Sequence, residues 1–302
     1  MKNPLIDVYY LLKRQDYQWM TDADFSETIG NVLYEKKPFM AGRMGAYESS
    51  AIRMFEFGYK QKQKKMMEYL SNNAGFFPKD IRLLSDFAST YKKALSNCDI
   101  IYPMGYRGEN YLISRFASDS IKFYRGYFNW NADDIWFKHL RNKKVLIIHP
   151  FAKTIREQYD NKRELLHRSS DFLPEFELMI IKAVFTAAGE IDDRFANWFE
   201  ALDYMHNETL KYDYDIALLG CGSYGFPLAS MIKEDGKIAV HMGGELQLLF
   251  GIKGARWEQK EYGDISLYND SWVYADHSER PKNFTSIEGS SYWETVGKDE
   301  QE

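Results

Sequence analysis

Cysteine is nearly absent from this chain. Cys98 and Cys221 are the two in 302 residues, and their separation builds neither a zinc knuckle nor a disulfide framework. A reduced, cytoplasmic setting is the simple expectation. Long apolar runs are missing as well. The opening stretch MKNPLIDVYYLLKRQDYQW mixes charge and aromatics where a signal peptide needs a clean apolar segment. No later run approaches the ~18 uninterrupted apolar residues of a membrane span. Nor is there an excess of positive charge. The 39 Lys and Arg against 44 Asp and Glu leave a formal charge of -5, which argues against a protein that coats nucleic acid through counterion release. Any anionic ligand must be held by a local cluster. Internal repeats, low-complexity segments, His and carboxylate sets at metal-ligand spacing, and Ser, His and Asp triads are all missing too.

What the chain does have is a series of short apolar runs that end in Gly, His or Pro. These are PFMAGRMG (38–45), DIIYPMG (99–105), KVLIIHP (144–150), DIALLGCG (215–222) and KIAVHMGG (237–244). Such runs suit strands buried on both faces. ELMIIKAV (177–184) fits a sixth strand or a helix. Between the runs, Ile81, Leu84, Phe87, Ala88, Tyr91, Ala94 and Leu95 recur at three and four, as do Phe195, Trp198, Phe199, Leu202 and Met205. Both patterns are amphipathic helices with one face on a core. Strand alternating with helix predicts an α/β fold, a Rossmann-like and mostly parallel sheet flanked by helices. The expected organisation is an N-terminal helical segment (1–37), an α/β core (38–255) and an irregular C-terminal tail (256–302) packed on it, with the closing GKDEQE frayed. The aromatic content, 16%, suits core and subunit contacts before sugar-stacking platforms or a membrane-facing rim.

In doubly wound sheets ligands bind beyond the carboxyl ends of the strands, so the residues that end each run are the ones to examine. In GCGSYG, Gly220, Gly222 and Gly225 permit a tight strand-to-helix turn, and the following helix offers N–H groups to an anion; glycines that merely let the chain turn explain them as well. A methyl-donor site belongs on the first strand of a sheet, yet one clear strand remains downstream of Gly222. A dinucleotide site wants an acid at the end of the next strand, where His241 stands and Glu245 follows a few residues late. In GRMGAYES (42–49), Arg43 follows a strand, Gly45 permits a turn and Glu48 opens a helix, as a ligand contact or as a helix-start charge paired with Arg43. GYRGEN (105–110) places Arg107 and Glu109 on a glycine-flanked loop. His149 ends a strand, and Lys153 and Arg156 on the next helix are either a diphosphate clamp or a solvated face. HMGGELQLLFGIKGARW gathers His241, Gly243, Gly244, Glu245, Lys253 and Arg256.

Taken together, GRMGAYES, IIHPF, DIALLGCGSYGFPLA, HMGGELQLLFGIKGARW and IEGSSYW resemble the bacterial GT-D-type glycosyltransferases, and more narrowly the GT-D-like proteins of surface-polysaccharide gene clusters. The resemblance implies a GT-D-like fold and transfer of a sugar from a nucleotide-sugar donor, often a UDP-sugar, to a saccharide or lipid-linked glycan acceptor. It implies donor and phosphate contacts from Arg43, Gly45, Gly220, Gly222, Ser223, Tyr224, Gly225, His241, Gly243, Gly244, Lys253 and Arg256. Glu48 would orient the donor or a metal, and Glu245 or Glu109 would take the acceptor proton. Family members carry an Arg-x-Gly-Asp-x-Glu pattern that engages a divalent metal. Ala46 occupies the Asp position in this chain, so Mn or Mg at Glu48 is in question. No organic cofactor and no nucleic acid is expected. A place at the inner face of the membrane, peripheral membrane association and homo-oligomerisation stay open, as do a nicotinamide-dependent oxidoreductase and a non-catalytic glycan-binding protein.

Overall fold

The computed structural model describes residues 17–58, 60–106, 108–129, 131–132, 134–259, 268–287 and 291–294, with the backbone alone at 60–63. The start of the N-terminal segment, Arg107 and the closing GKDEQE lie outside these residues. Along the chain run helix α1 (Asp22–Glu35), strand β1 (Phe39–Gly42), helices α2 (Ala46–Glu56), α3 (Lys60–Ala74) and α4 (Leu84–Asn97), and strand β2 (Ile100–Ile101). Helix α5 (Glu109–Phe116), strands β3 (Lys122–Phe123) and β4 (Lys144–His149), helix α6 (Ala152–Leu166) and strand β5 (Glu177–Lys182) follow. Helix α7 (Trp198–Thr209), strand β6 (Ile216–Leu219), helix α8 (Gly225–Glu234), strand β7 (Ile238–His241) and the short helix α9 (Leu246–Leu249) complete the core.

The strands form one seven-stranded sheet in the order β3-β2-β1-β7-β6-β4-β5, with every pairing parallel. The expected α/β architecture is therefore present. ELMIIKAV resolves as a strand, since residues 177–182 pair with β4 along their whole length. β3, which the sequence did not disclose, is two residues long and is held by Ile100 and Ile101.

Alternation explains the unbroken apolar runs. Val145, Ile147, Ile216, Leu218, Ile238 and Val240 face a core shared with α1, α6 and the C-terminal residues Trp272, Phe284 and Trp293. Leu146, Ile148, Ala217, Leu219 and Ala239 face a second core under α2, α4, α7 and α8. A strand with helices on one side and helices or tail on the other has no face left for polar residues. Among the described residues no helix is long and apolar enough to cross a membrane.

The topology places a crevice. β4 passes the chain outward to β5 through α6, whereas β6 passes it inward to β7 through α8. The connections diverge between β4 and β6, which is where open α/β sheets leave room beyond the strand ends. The turn after β6 is braced from beneath. The Ser223 hydroxyl accepts from Trp198 Nε1 (2.9 Å) and donates to the Ala74 carbonyl, while the Tyr91 hydroxyl donates to the Ser223 carbonyl. Tyr224 stacks on Trp198 and shares a 2.8 Å hydrogen bond with Thr186.

Removing that brace should be costly, because Ser223→Ala orphans a buried indole N–H and a buried carbonyl. At roughly 1–3 kcal/mol for each of the two unsatisfied groups, we expect a loss of about 2–6 kcal/mol in urea unfolding. A loss below ~0.5 kcal/mol, the scale of an ordinary surface change, would remove Ser223 from this role.

Candidate functional site

A cleft of about 1120 Å³, counting its open mouth, lies across the carboxyl ends of β1, β7, β6, β4 and β5. Its floor is the GCGSYG turn. Gly222 takes φ +58 with open space where a side chain would be, the left-handed conformation that glycine adopts without penalty. The other two glycines answer to crowding. A Cβ at Gly220 would lie 2.5 Å from the His149 ring, and one at Gly225 would run into the His241 ring. Two of the glycines expected to admit a phosphate thus make room for two histidines, one from the strand on each side of β6.

Both histidines are nearly buried, at 2% and 4% exposure, and both line the cleft. His149 Nδ1 accepts the backbone N–H of Phe151 at 3.0 Å. His241 Nδ1 lies 3.3 Å from the Leu219 carbonyl. Burial pushes each imidazole down to about 3, helped at His241 by repulsion from Arg43, so both rings are neutral at physiological pH.

Charge enters from the β1 side. The Arg43 guanidinium lies over Gly243, whose φ is +66, and touches Met104 Sδ at 3.4 Å. Its Nη1 stands 3.9 Å from Glu245 Oε1. Glu48 is the third residue of α2 and folds back over Gly45, with 6% exposure. Burial raises the pKa of Glu48 against the pull of its own backbone N–H and of Arg43. Burial raises Glu245 too, opposed mainly by Arg43. Arg256 completes this wall, 5.0 Å from the Tyr292 ring. Tyr292 itself lies on Gly244, so the tail closes part of the cleft.

Arg43, Gly45, Glu48, the 220–225 turn, His241, Gly243, Gly244, Glu245 and Arg256 thus come together around the cleft or its Arg43 wall. Several expected residues do something else. Lys253 points away, with its ammonium 6.0 Å and 5.7 Å from the Tyr268 and Tyr274 rings. Glu109 is wholly buried, and its carboxylate accepts from the amides of Met104, Gly105 and Tyr106, so it clamps a loop and has no path to an acceptor. Ser223 and Tyr224 reach the cleft lining, but their hydroxyls serve the brace beneath it. Lys153 pairs with Asp276, and Arg156 donates to the Leu178 carbonyl, so no diphosphate clamp forms. Cys221 is buried, and its thiol is pushed up to about 12, which leaves it inert. Gln247, from HMGGELQLLFGIKGARW, and Tyr292 and Trp293, from IEGSSYW, also line the cleft, whereas Tyr47, Tyr106 and Phe185 line it without having been singled out in the sequence.

The donor set does not fit a tightly held divalent cation. Ala46 supplies no ligand, the Arg43 cation already stands beside Glu245, and among the described residues no group of three His, Cys, Asp or Glu converges.

No family model and no curated protein matches the chain. Two solved structures are similar to it. One is described as "The highly conserved domain of unknown function 1792 has a distinct glycosyltransferase fold", at 10% identity over 90% of this chain and 96% of that one, with a TM-score of 0.46. The other is a selenomethionine-substituted structure of domain of unknown function 1792, at 9% identity, with the same coverage and TM-score. At that distance the functional reading has to stand on the side chains of the cleft.

The neutral histidines make stability depend on pH. Unfolded, each takes a proton near 6.5; folded, each refuses it until about 3. Their share of stability is therefore full above about pH 6.5 and is lost as the pH falls towards 3. Glu48 and Glu245, raised by burial, act in the opposite sense and are cancelled by comparing variants. The stability difference between wild type and His149→Gln should change by up to about 1.4 kcal/mol per pH unit between pH 6 and 4. A constant difference over that interval would contradict neutral burial of His149.

Proposed function

We propose that the protein is a glycosyltransferase that moves a sugar from a nucleoside diphosphate donor, a UDP-sugar first among them, to a saccharide or glycoconjugate acceptor in bacterial surface glycan assembly. One observation carries this: the Arg43 guanidinium, the His149 imidazole and an open left-handed turn leading into α8 line one cleft with a buried carboxylate at its Arg43 wall. A departing diphosphate gathers negative charge as the glycosidic bond breaks, and preorganised donors in a water-poor site stabilise such charge far better than bulk water does. Arg43 supplies full charge. The turn and the start of α8 supply oriented backbone dipoles.

The carboxylates take the remaining work. Glu109 is ruled out as a base because its oxygens hold the 104–106 amides. Glu245 stands behind the cleft lining, 3.9 Å from Arg43, and takes the base role because its Oε2 has no hydrogen-bond partner, whereas both oxygens of Glu109 are engaged. Glu48, folded back over Gly45 at the head of α2 and lining the cleft, orients the donor. We place the reaction in the cytoplasm, where nucleotide sugars are made.

Calorimetry with UDP, GDP and ADP tests the reading, and the wild type should bind at least one of them with or without Mn²⁺. Arg43→Gln should weaken that binding about 10- to 100-fold, which is about 1.4–2.8 kcal/mol. Glu48→Gln should abolish transfer while thermal unfolding stays cooperative. Absence of binding to every nucleoside diphosphate would sink the assignment, and tight binding of NADH in its place would favour an oxidoreductase.

A further inference from the structure

His149 and His241 end the two strands that flank β6, and their rings are wired in opposite senses. In a neutral imidazole one nitrogen carries the proton and the other a lone pair. His149 Nδ1 accepts from the Phe151 amide, which places its proton on Nε2. The partner of His241 Nδ1 is a carbonyl, which only accepts, so that ring carries its proton on Nδ1 and leaves a lone pair on Nε2. Among the described residues neither Nε2 has a protein partner, and both rings belong to the cleft wall. The cleft therefore presents one hydrogen-bond donor beside β4 and one acceptor beside β7, on either side of the glycine turn.

These two senses select different chemical groups. A phosphate oxygen accepts hydrogen bonds and is repelled by a lone pair, whereas a sugar hydroxyl donates readily. The flanking residues agree with that division. Arg43 and Glu48 line the β1 and β7 side, with Glu245 against Arg43, so the guanidinium meets the diphosphate where it joins the sugar undergoing transfer. Phe151, Val184, Phe185 and Trp293 line the β4 and β5 side, where a nucleoside needs apolar and aromatic walls. We propose that the donor lies across β6 in one direction, with its nucleoside over β4 and β5, a diphosphate oxygen accepting from His149 Nε2–H, and a hydroxyl of the transferred sugar donating to His241 Nε2. This rests on the glycosyltransferase reading and adds to it an orientation and two specificity-determining residues. It also reassigns His241 from phosphate contact to sugar contact, because its free nitrogen carries no proton to offer an anion.

Two measurements on the full chain decide it. In ¹⁵N-histidine protein without ligand, long-range ¹H–¹⁵N correlation spectra report which ring nitrogen is protonated. His149 should appear as the Nε2–H tautomer and His241 as the Nδ1–H tautomer from pH 5 to 8. The reverse tautomer at either position overturns the proposal without reference to any ligand. The second measurement uses whichever of UDP, GDP and ADP the wild type binds, together with its glucose conjugate. His149→Leu should weaken the nucleoside diphosphate by about 10-fold or more, and His149→Gln, whose amide N–H replaces the lost donor, should recover most of that affinity. His241→Leu should weaken the glucose conjugate by a larger factor than the parent diphosphate. Wild-type affinity in His149→Leu, or a loss in His241→Leu as large for the diphosphate as for the conjugate, would overturn the orientation while leaving the glycosyltransferase reading intact. If the wild type binds none of the three diphosphates, that reading falls and the orientation falls with it.

Discussion

The Ser223 hydroxyl, with its own carbonyl, is the point on which the site depends. Through it the turn after β6 is tied to Trp198 at the start of α7, to Ala74 at the end of α3 and to Tyr91 on α4. These elements are distant in sequence and meet at one residue that is 1% exposed. Because a buried hydroxyl must satisfy its donor and its acceptor together, the turn has one height and one tilt above the sheet. Everything on the cleft floor inherits that position. Gly220 and Gly225 lie two residues and more from the brace on either side, and each fits against a histidine ring with no room for a methyl group. A shift of the turn would bring backbone against imidazole, so the brace and the rings fix one another.

The sequence disclosed the sheet more readily than the site. Strands with both faces covered have to be apolar throughout, which is why KVLIIHP and DIALLGCG stand out in the chain. ELMIIKAV was ambiguous because β5 is an edge strand with exposed ends, and only its six-residue pairing with β4 settles it. β3 was invisible because two residues carry no period. Helix α2 was legible from Glu48 onward and begins two residues earlier, at Ala46.

At the cleft, residue identity could be read, but the direction of a side chain could not. Glu109 in a glycine-flanked loop looks like a free carboxylate until the amides of residues 104–106 are seen folded onto it. Lys253 sits six residues beyond the cleft residue Gln247 in number but stands over tyrosines of the tail in space. His149 was visible at a strand end, yet its meaning lies in the Phe151 amide that fixes its tautomer, a contact made by backbone geometry and unmarked by any residue type. The tail was legible only as an aromatic segment, since packing of Trp272 and Trp293 under the sheet has no local period to announce it.

The balance of charge explains why neutral donors matter in this cleft. A full charge opposite Arg43 at about 4 Å is worth roughly 4 kcal/mol at an effective dielectric constant near 20, but Glu245 already occupies that position at 3.9 Å. Under the proposed function, a donor diphosphate shares the guanidinium with a carboxylate that it also repels, so only part of that energy is gained on binding. His149 and the backbone of the turn carry no such counter-charge. Their N–H groups have no ion partner to lose, they need no proton uptake, and burial keeps the imidazole in the same form throughout the physiological range. With Ala46 in place of an acid and no assembled ligand set for a cation among the described residues, discrimination falls to groups whose dipoles are fixed by packing. That is the condition under which a brace such as Ser223, remote from the chemistry, decides how well the cleft performs.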